Sequence, residues 1–160
     1  MKTNAEEALE IFKQAEGKEV GVGQWQEITQ PRINQFADAT LDHQFIHIDP
    51  DKAARLSPYK TTIAHGFLTL SLIPHLNQSV PPLNSKTSVG LVMGINYGLD
   101  KVRFPAPVKV NSHVRARLEL ISAELKAAHT IQLKHRVTVE IKGEEKPGCV
   151  AETLSRLVYE

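Results

Sequence analysis

The chain has 160 residues, of which 41% are hydrophobic, which is enough to bury one sizeable core but not two. Its 19 basic and 18 acidic residues leave a net charge of +1, and these charges are dispersed along the sequence. This balance disfavours a nucleic-acid partner, which would require a basic face. We therefore expect a single domain covering residues 1–160.

Cysteine content and hydropathy indicate the cellular compartment of the protein. Cys149 is the single cysteine, so the chain forms no internal disulfide, and a small buried thiol is the simplest reading of it. The N-terminus lacks the apolar segment of a secretory signal, and no apolar run approaches the ~20 residues of a membrane span. We therefore expect a cytoplasmic protein with no membrane partner.

The first elements are predicted to be helical. Residues 4–16 carry apolar side chains at near-helical spacing, and Gly17 follows where helices often end. After a short extended stretch, Thr29 is a suitable N-cap and Pro31 fits the first turn of a second helix.

Two contrasting segments follow. Residues 41–62 are polar and rich in histidine, aspartate and proline, which predicts a loop containing one short helix that starts at Asp49-Pro50. Catalytic residues are often carried by such segments. Residues 64–77 instead carry large apolar side chains on nearly every face, which predicts a helix enclosed by other structure.

The second half of the chain is predicted to supply the enclosing sheet. Alternation and β-branched residues mark strands over 88–104, 112–125, 128–141 and 149–159. Segments rich in turn-forming residues separate them. This order predicts an α+β protein with an antiparallel sheet curled around a central helix.

The densest group of chemically active residues lies in the polar segment. Asp42 and His47 are five residues apart, and a carboxylate and an imidazole can take a proton from water and deliver one to carbon. Hydration of an activated alkene requires these two steps. Gly66 offers a backbone N–H at a helix start, where anionic oxygens are stabilised. A glycine that merely relieves crowding explains Gly66 equally well.

A metal site is the weaker reading of the same residues. His43 and His47 are four residues apart and would share a helical face, but the segment predicts a loop. No third ligand beyond Asp42 or Asp49 is evident. We therefore expect no metal.

The motif D-x4-H-x-D-P at residues 42–50, followed by A-H-G-F at 64–67, resembles the hydratase-2 motif of MaoC-like (R)-specific enoyl-CoA hydratases and dehydratases. The resemblance continues through residues 95–108 and covers the chain from about residue 20 onwards. It is similar in particular to single-domain mycobacterial-type and nodulation protein N-like members.

This resemblance implies a hot-dog fold, in which a five-stranded antiparallel sheet wraps around a central buried helix, and a homodimer. It implies reversible hydration of trans-2-enoyl-CoA to (3R)-3-hydroxyacyl-CoA without metal, flavin or nicotinamide. Asp42 and His47 would hold the catalytic water, and the Gly66 amide would bind the thioester oxygen. Further candidates for the substrate site are Gln44, His65, Asn96 and Arg103.

The chain departs from the family pattern at two positions. Gln44 and Phe45 stand where the wider family has asparagine and proline, so Gln44 keeps the amide with a longer reach. His65 is favoured as a residue that holds the loop. Arg103 would meet the phosphates of coenzyme A, although alternating charges on a strand also suit a solvated face.

Three alternatives compete with an enoyl-CoA hydratase. One is a dehydratase acting on (3R)-hydroxyacyl-carrier protein, and another is a non-catalytic acyl-thioester-binding protein of the same fold. A hot-dog thioesterase is disfavoured, because such enzymes carry a carboxylate on the central helix and residues 66–76 contain none.

Overall fold

A computed structural model describes residues 1–160 as one antiparallel sheet with short helices packed on it. The helices are α1 (Asn4–Ala15), α2 (Gln30–Thr40), α3 (Phe45–Ile48), α4 (Pro50–Leu56), α5 (Gly66–Ser71) and α6 (Ile73–Asn77). A 3₁₀ turn covers Ser85–Ser88. The strands are β1 (Lys18–Val22), β2 (Gln26–Glu27), β3 (Leu91–Arg103), β4 (His113–Ala127), β5 (Thr130–Ile141) and β6 (Cys149–Tyr159).

The ends of α1 follow from local chemistry. Thr3 and Glu6 form a capping box, in which each side chain accepts a hydrogen bond from the other residue's backbone N–H. Gly17 follows the helix with φ 76°, a conformation that glycine adopts without steric cost. The apolar face of α1 is buried against the sheet, led by Ala5, Ala8 and Phe12.

The strand order is β1-β4-β5-β6-β3, and β2 pairs with the start of β4. Five strands were expected, and the sixth is the two-residue β2. Along β5 the side chains facing the helices are mostly buried, as in Leu133, Val137 and Val139. The sheet around a helix confirms the expected mixed class and hot-dog arrangement. β3 lies at a free edge.

The central helix differs from its prediction over 64–77. It is formed by α5 and α6, joined at Leu72, whose backbone remains helical. Leu68, Ile73 and Leu76 are buried in the larger core. The expectation of burial on all faces is wrong, because the side chain of Phe67 is 68% exposed. A single sheet has one concave face, so it covers one side of the helix.

The segment predicted as a polar loop is more ordered than its composition indicates. It contains α4, which starts at Pro50 with Asp49 as its N-cap, and also the one-turn helix α3, which carries His47. Cys149 is fully buried at the start of β6. None of the helices is long and apolar enough to cross a membrane.

Candidate active site

Asp42, His47 and His65 converge at the N-terminal end of the central helix. One polar side-chain atom from each lies within 4.8 Å of the others. Asp42 is exposed, whereas His47 and His65 are 7% and 3% exposed. The cluster is therefore a pair of buried imidazoles with a carboxylate at its solvent side.

One hydrogen bond fixes the orientation and tautomer of His47. Its Nδ1 lies 2.7 Å from the carbonyl oxygen of Ile63, and a carbonyl only accepts, so Nδ1 carries the proton. Nε2 is then the basic nitrogen. Burial lowers the pKa of His47, and His65 lowers it further, against opposing effects of the Ile63 carbonyl and Asp42. His47 is thus a neutral base at neutral pH.

His65 connects the backbone of Asp42 to the ring of His47. Its Nε2 donates to the Asp42 carbonyl oxygen at 2.9 Å, by the same reasoning about the acceptor. Its ring stacks on that of His47, with centroids 3.8 Å apart and planes inclined by 24°. His65 Nδ1 is buried and has no hydrogen-bond partner. His65 therefore holds the loop that carries Asp42.

The backbone before Asp42 turns sharply out of α2. Leu41 adopts φ 62°, in the left-handed region that costs a non-glycine residue about 1–2 kcal/mol. Its apolar side chain is 81% exposed beside the site. His43 faces away from the cluster and pairs with Asp38 at 2.8 Å. The turn thus separates two adjacent polar residues, sending Asp42 to the cluster and His43 to the surface pair.

The amide of Gln30 anchors the cluster from the far side, and nothing in the sequence marked it. Gln30 Nε2 donates to the His47 carbonyl oxygen at 2.7 Å and to Asn34 Oδ1 at 2.9 Å. Gln30 Oε1 accepts from the fully buried Thr62 hydroxyl at 2.5 Å. Ile63, beside Thr62, holds the His47 ring. The backbone and the side chain of His47 are therefore tied to one short segment.

Gly66 lies at the first position of α5, directly after His65. The first N–H groups of a helix lack internal acceptors. A Cβ at Gly66 would lie 3.0 Å from the Phe104 ring, so any side chain would displace that ring. A cavity of about 290 Å³ opens here, lined by Gly66, Ile63 and Phe104 among others. The backbone of Gly66 is accessible because residue 66 has no side chain.

The remaining candidates are dispersed. Gln44 is exposed at the start of α3, where its side chain caps no backbone group. Asn96 lines a groove of about 470 Å³ between the central helix and β3. Arg103, at the end of β3, is exposed and bonds the carbonyl of Val102. Of the proposed substrate residues, His65 and Gly66 adjoin the Asp42–His47 pair. Gln44 contacts the pair through its backbone, since its N–H donates to Asp42 Oδ1 at 3.4 Å and its carbonyl oxygen accepts from the N–H of His47 at 2.9 Å.

Ring geometry argues against one metal ion held by the two histidines. With Nδ1 of His47 and Nε2 of His65 engaged, only the other nitrogens remain for a metal. In nearly parallel stacked rings the in-plane lone pairs run side by side, whereas zinc ligands converge at about 2.0–2.1 Å. The arrangement suits hydrogen bonding to a small molecule better.

Comparison with known proteins identifies the family of the chain. A model of the MaoC-like domain matches residues 12–143. The chain is 48% identical over 152 residues to 3-hydroxyacyl-thioester dehydratase Z of Mycobacterium tuberculosis, covering 95% of this chain and 97% of the relative. It is 44% identical over 145 residues to nodulation protein N of Rhizobium leguminosarum bv. viciae, covering 90% and 87%.

Solved structures share the fold at lower identity. The (R)-hydratase PhaJ1 from Pseudomonas aeruginosa superimposes with a TM-score of 0.67 at 24% identity, covering 91% of this chain and 83% of that one. A MaoC-like dehydratase from Rhodospirillum rubrum gives 0.69 at 18% identity, covering 91% and 94%. The family model and the relatives at 48% and 44% identity show that the chain belongs to the MaoC-like domain family.

Proposed function

We propose that this protein catalyses the reversible addition of water to trans-2-enoyl-CoA, giving (3R)-3-hydroxyacyl-CoA. Membership of the MaoC-like family supports a lyase that hydrates or dehydrates thioesters. The observation that carries the finer assignment is the convergence of Asp42 with a neutral, oriented His47.

The two side chains suit one water molecule. His47 Nε2 and the Asp42 carboxylate are both acceptors, so a water between them donates one hydrogen to each. As the water oxygen bonds to the β-carbon, the pair takes one proton and the alkene electrons move toward the thioester carbonyl. The same pair returns a proton to the α-carbon, which balances the step. No metal or redox cofactor takes part in this proposal.

The developing negative charge on the thioester oxygen needs a donor. We assign this role to the N–H of Gly66, which starts α5 next to the cluster and is unshielded by any side chain. A preorganised backbone donor at such a position typically contributes about 10²–10³-fold to kcat. His65 acts through Asp42 and His47 and is a positioning residue.

The test is hydration of crotonyl-CoA, followed by loss of enoyl absorbance and chiral identification of the product. We expect (3R)-3-hydroxybutyryl-CoA. Asp42→Asn and His47→Gln should each lower kcat by at least about 10²-fold, since each removes an acid–base group.

Matched controls come from the same segment. Asp51→Asn changes an exposed carboxylate in the first turn of α4, and His43→Gln changes the exposed imidazole paired with Asp38. Both controls should retain wild-type turnover. Equal losses in controls and site variants would mean that the segment is merely structural. If the protein turned over acyl-carrier-protein thioesters but no coenzyme A thioesters, the carrier of its substrate would be acyl carrier protein and not coenzyme A.

We also propose a homodimer formed through β3. This edge strand exposes Val92, Met93, Ile95 and Tyr97, together with unpaired backbone groups. Antiparallel pairing with β3 of a second copy would bury these apolar side chains and pair the free backbone groups, in a dimer with two-fold symmetry. Light scattering should give twice the mass of the chain, and Ile95→Lys should halve it. Leu125→Lys, at an exposed apolar residue of β4, is the matched control.

A further inference from the structure

A third cavity lies between the two hydrophobic cores, away from the catalytic cluster. It has a volume of about 400 Å³. Phe12 of α1, Leu118 and Leu120 of β4 and Leu157 of β6 contribute to its apolar walls, and the segment 80–83 covers it. The larger core lies under the central helix and the smaller one under α1. The helices and sheet leave this space unfilled.

Three polar side chains line this apolar space, and the Thr87 hydroxyl already donates to the Asn84 carbonyl oxygen, which leaves Asn77 and His135. Asn77, at the end of α6, lines the cavity with a buried Oδ1 that has no hydrogen-bond partner. His135 lies on β5 between the inward-facing Leu133 and Val137, at the border of the two cores. Burial alone lowers its pKa to about 4, so the ring is neutral at neutral pH. The cavity thus offers uncharged hydrogen-bonding groups in hydrocarbon surroundings.

The cavity is the last of three along the central helix. The first includes Gly66 and Thr69 in its lining, the second includes Leu70, Ser71, Ile73 and Pro74, and the third includes Asn77. β6 follows the same order, with Leu154 in the second lining and Leu157 in the third. The series begins beside the catalytic cluster and ends at the polar pair.

Building on the hydratase function above, we propose that this cavity receives the distal end of the acyl chain. There, Asn77 and His135 hydrogen-bond a hydroxyl group carried by that chain. The preferred substrates are accordingly long enoyl thioesters with a hydroxyl near the end remote from the thioester.

The lining selects a hydroxyl over other groups. Asn77 Oδ1 requires a donor, and the neutral imidazole of His135 supplies one donor and one acceptor, which a hydroxyl satisfies. A carboxylate is disfavoured because no lysine or arginine lines the cavity. A plain alkyl end would bury apolar surface but leave both polar groups unpaired.

The position of the hydroxyl follows from the length of the helix. Gly66 and Asn77 are eleven residues apart, which at about 1.5 Å per residue is roughly 16 Å. A zigzag chain advances about 1.3 Å per carbon–carbon bond, so roughly twelve carbons, together with a terminal hydroxyl and its hydrogen bond, span this distance.

The experiment compares kcat/KM for ω-hydroxy and plain trans-2-enoyl-CoA of equal length, at about ten, twelve and fourteen carbons. We expect the hydroxylated substrate to be favoured by tenfold or more near twelve carbons, because sites that bind a hydroxyl reject analogues lacking it. Asn77→Leu and His135→Leu should each bring this ratio close to one. Gln78→Leu makes the same amide-to-leucine change at an exposed neighbour outside the lining and should keep the wild-type ratio.

Crotonyl-CoA separates the two proposals, since its short chain ends well before the cavity. Turnover of crotonyl-CoA with no preference for hydroxylated long chains overturns the cavity assignment and leaves the hydratase intact. A preference that survives in both leucine variants overturns it as well. Absence of turnover with every enoyl-CoA overturns the hydratase function and the substrate class together. Melting temperatures identify any variant that fails to fold, in which case the other variant decides.

Discussion

Replacing His135 by leucine should make the protein less sensitive to acid. The pKa of His135 is about 4 in the folded state because of burial, against about 6.5 in an unfolded chain. As the pH falls below about 6.5, His135 is protonated in the unfolded chain before it is protonated in the folded one. The stabilisation that this histidine contributes is therefore fully present above this pH and is lost progressively toward pH 4. At about 1.4 kcal/mol per pH unit, His135 alone lowers the free energy of unfolding by about 2 kcal/mol between pH 7 and pH 5.

Urea unfolding at the two pH values measures this directly. His47 also has a lowered pKa and contributes in the same direction, so the wild type should lose more than His135 alone explains. The loss between pH 7 and pH 5 should be about 2 kcal/mol smaller in His135→Leu than in the wild type. His113→Leu, at an exposed histidine of β4, should keep the wild-type loss. An equal loss in the wild type and His135→Leu would refute the assignment of His135 as a partly buried histidine that is neutral at neutral pH.

Three further predictions concern the frame of the site. Gln30→Leu removes the hydrogen bond to the His47 carbonyl oxygen and, in steady-state kinetics, should lower kcat by roughly ten- to a hundredfold with little change in KM. Asn34→Ala removes only the second acceptor of the Gln30 amide and should leave kcat unchanged. Gly66→Ala brings a methyl group to 3.0 Å from the Phe104 ring and should lower kcat/KM by about tenfold or more, with partial recovery when Phe104 is also shortened to leucine. Leu41→Asn relieves a left-handed leucine and should raise the free energy of unfolding by about 1 kcal/mol in urea titrations.

Patterns with a fixed local period were readable from the sequence. The alternation in β5 and the capping signals of α2 and α4 depend on neighbours within a few residues, and the structure shows these elements near the expected positions. The spacing of Asp42 and His47 likewise predicted that the two side chains come together, as they do in the structure, whereas their catalytic role stays a prediction. Sequence reasoning succeeded where the cause of a structure lies close by in the chain.

The features that were missed depend on distant residues. The one-turn α3 has no side-chain cap, so it is held by tertiary bonds such as Gln30 to His47, seventeen residues apart. The carbonyl of Ile63, which sets the tautomer of His47, is a backbone group that no residue type reveals. The central helix has an exposed face because the sheet covers only one side of it. The apolar composition of residues 64–77 did not predict this exposed face.

The polar pair between the cores has a cost that the fold itself does not require. Leucine at position 77 would bury apolar surface and remove the unpaired Oδ1. Leucine at position 135 would continue the row of apolar side chains along β5, and the loss of stability in acid caused by the lowered pKa of His135 would disappear. A core selected for stability alone would carry apolar side chains at both positions. Asn77 and His135 instead stand at the end of a series of cavities that starts at Gly66. Binding of a hydroxylated acyl chain, whose hydroxyl completes the hydrogen bonds of Asn77 and His135, explains why these two destabilising polar side chains are present.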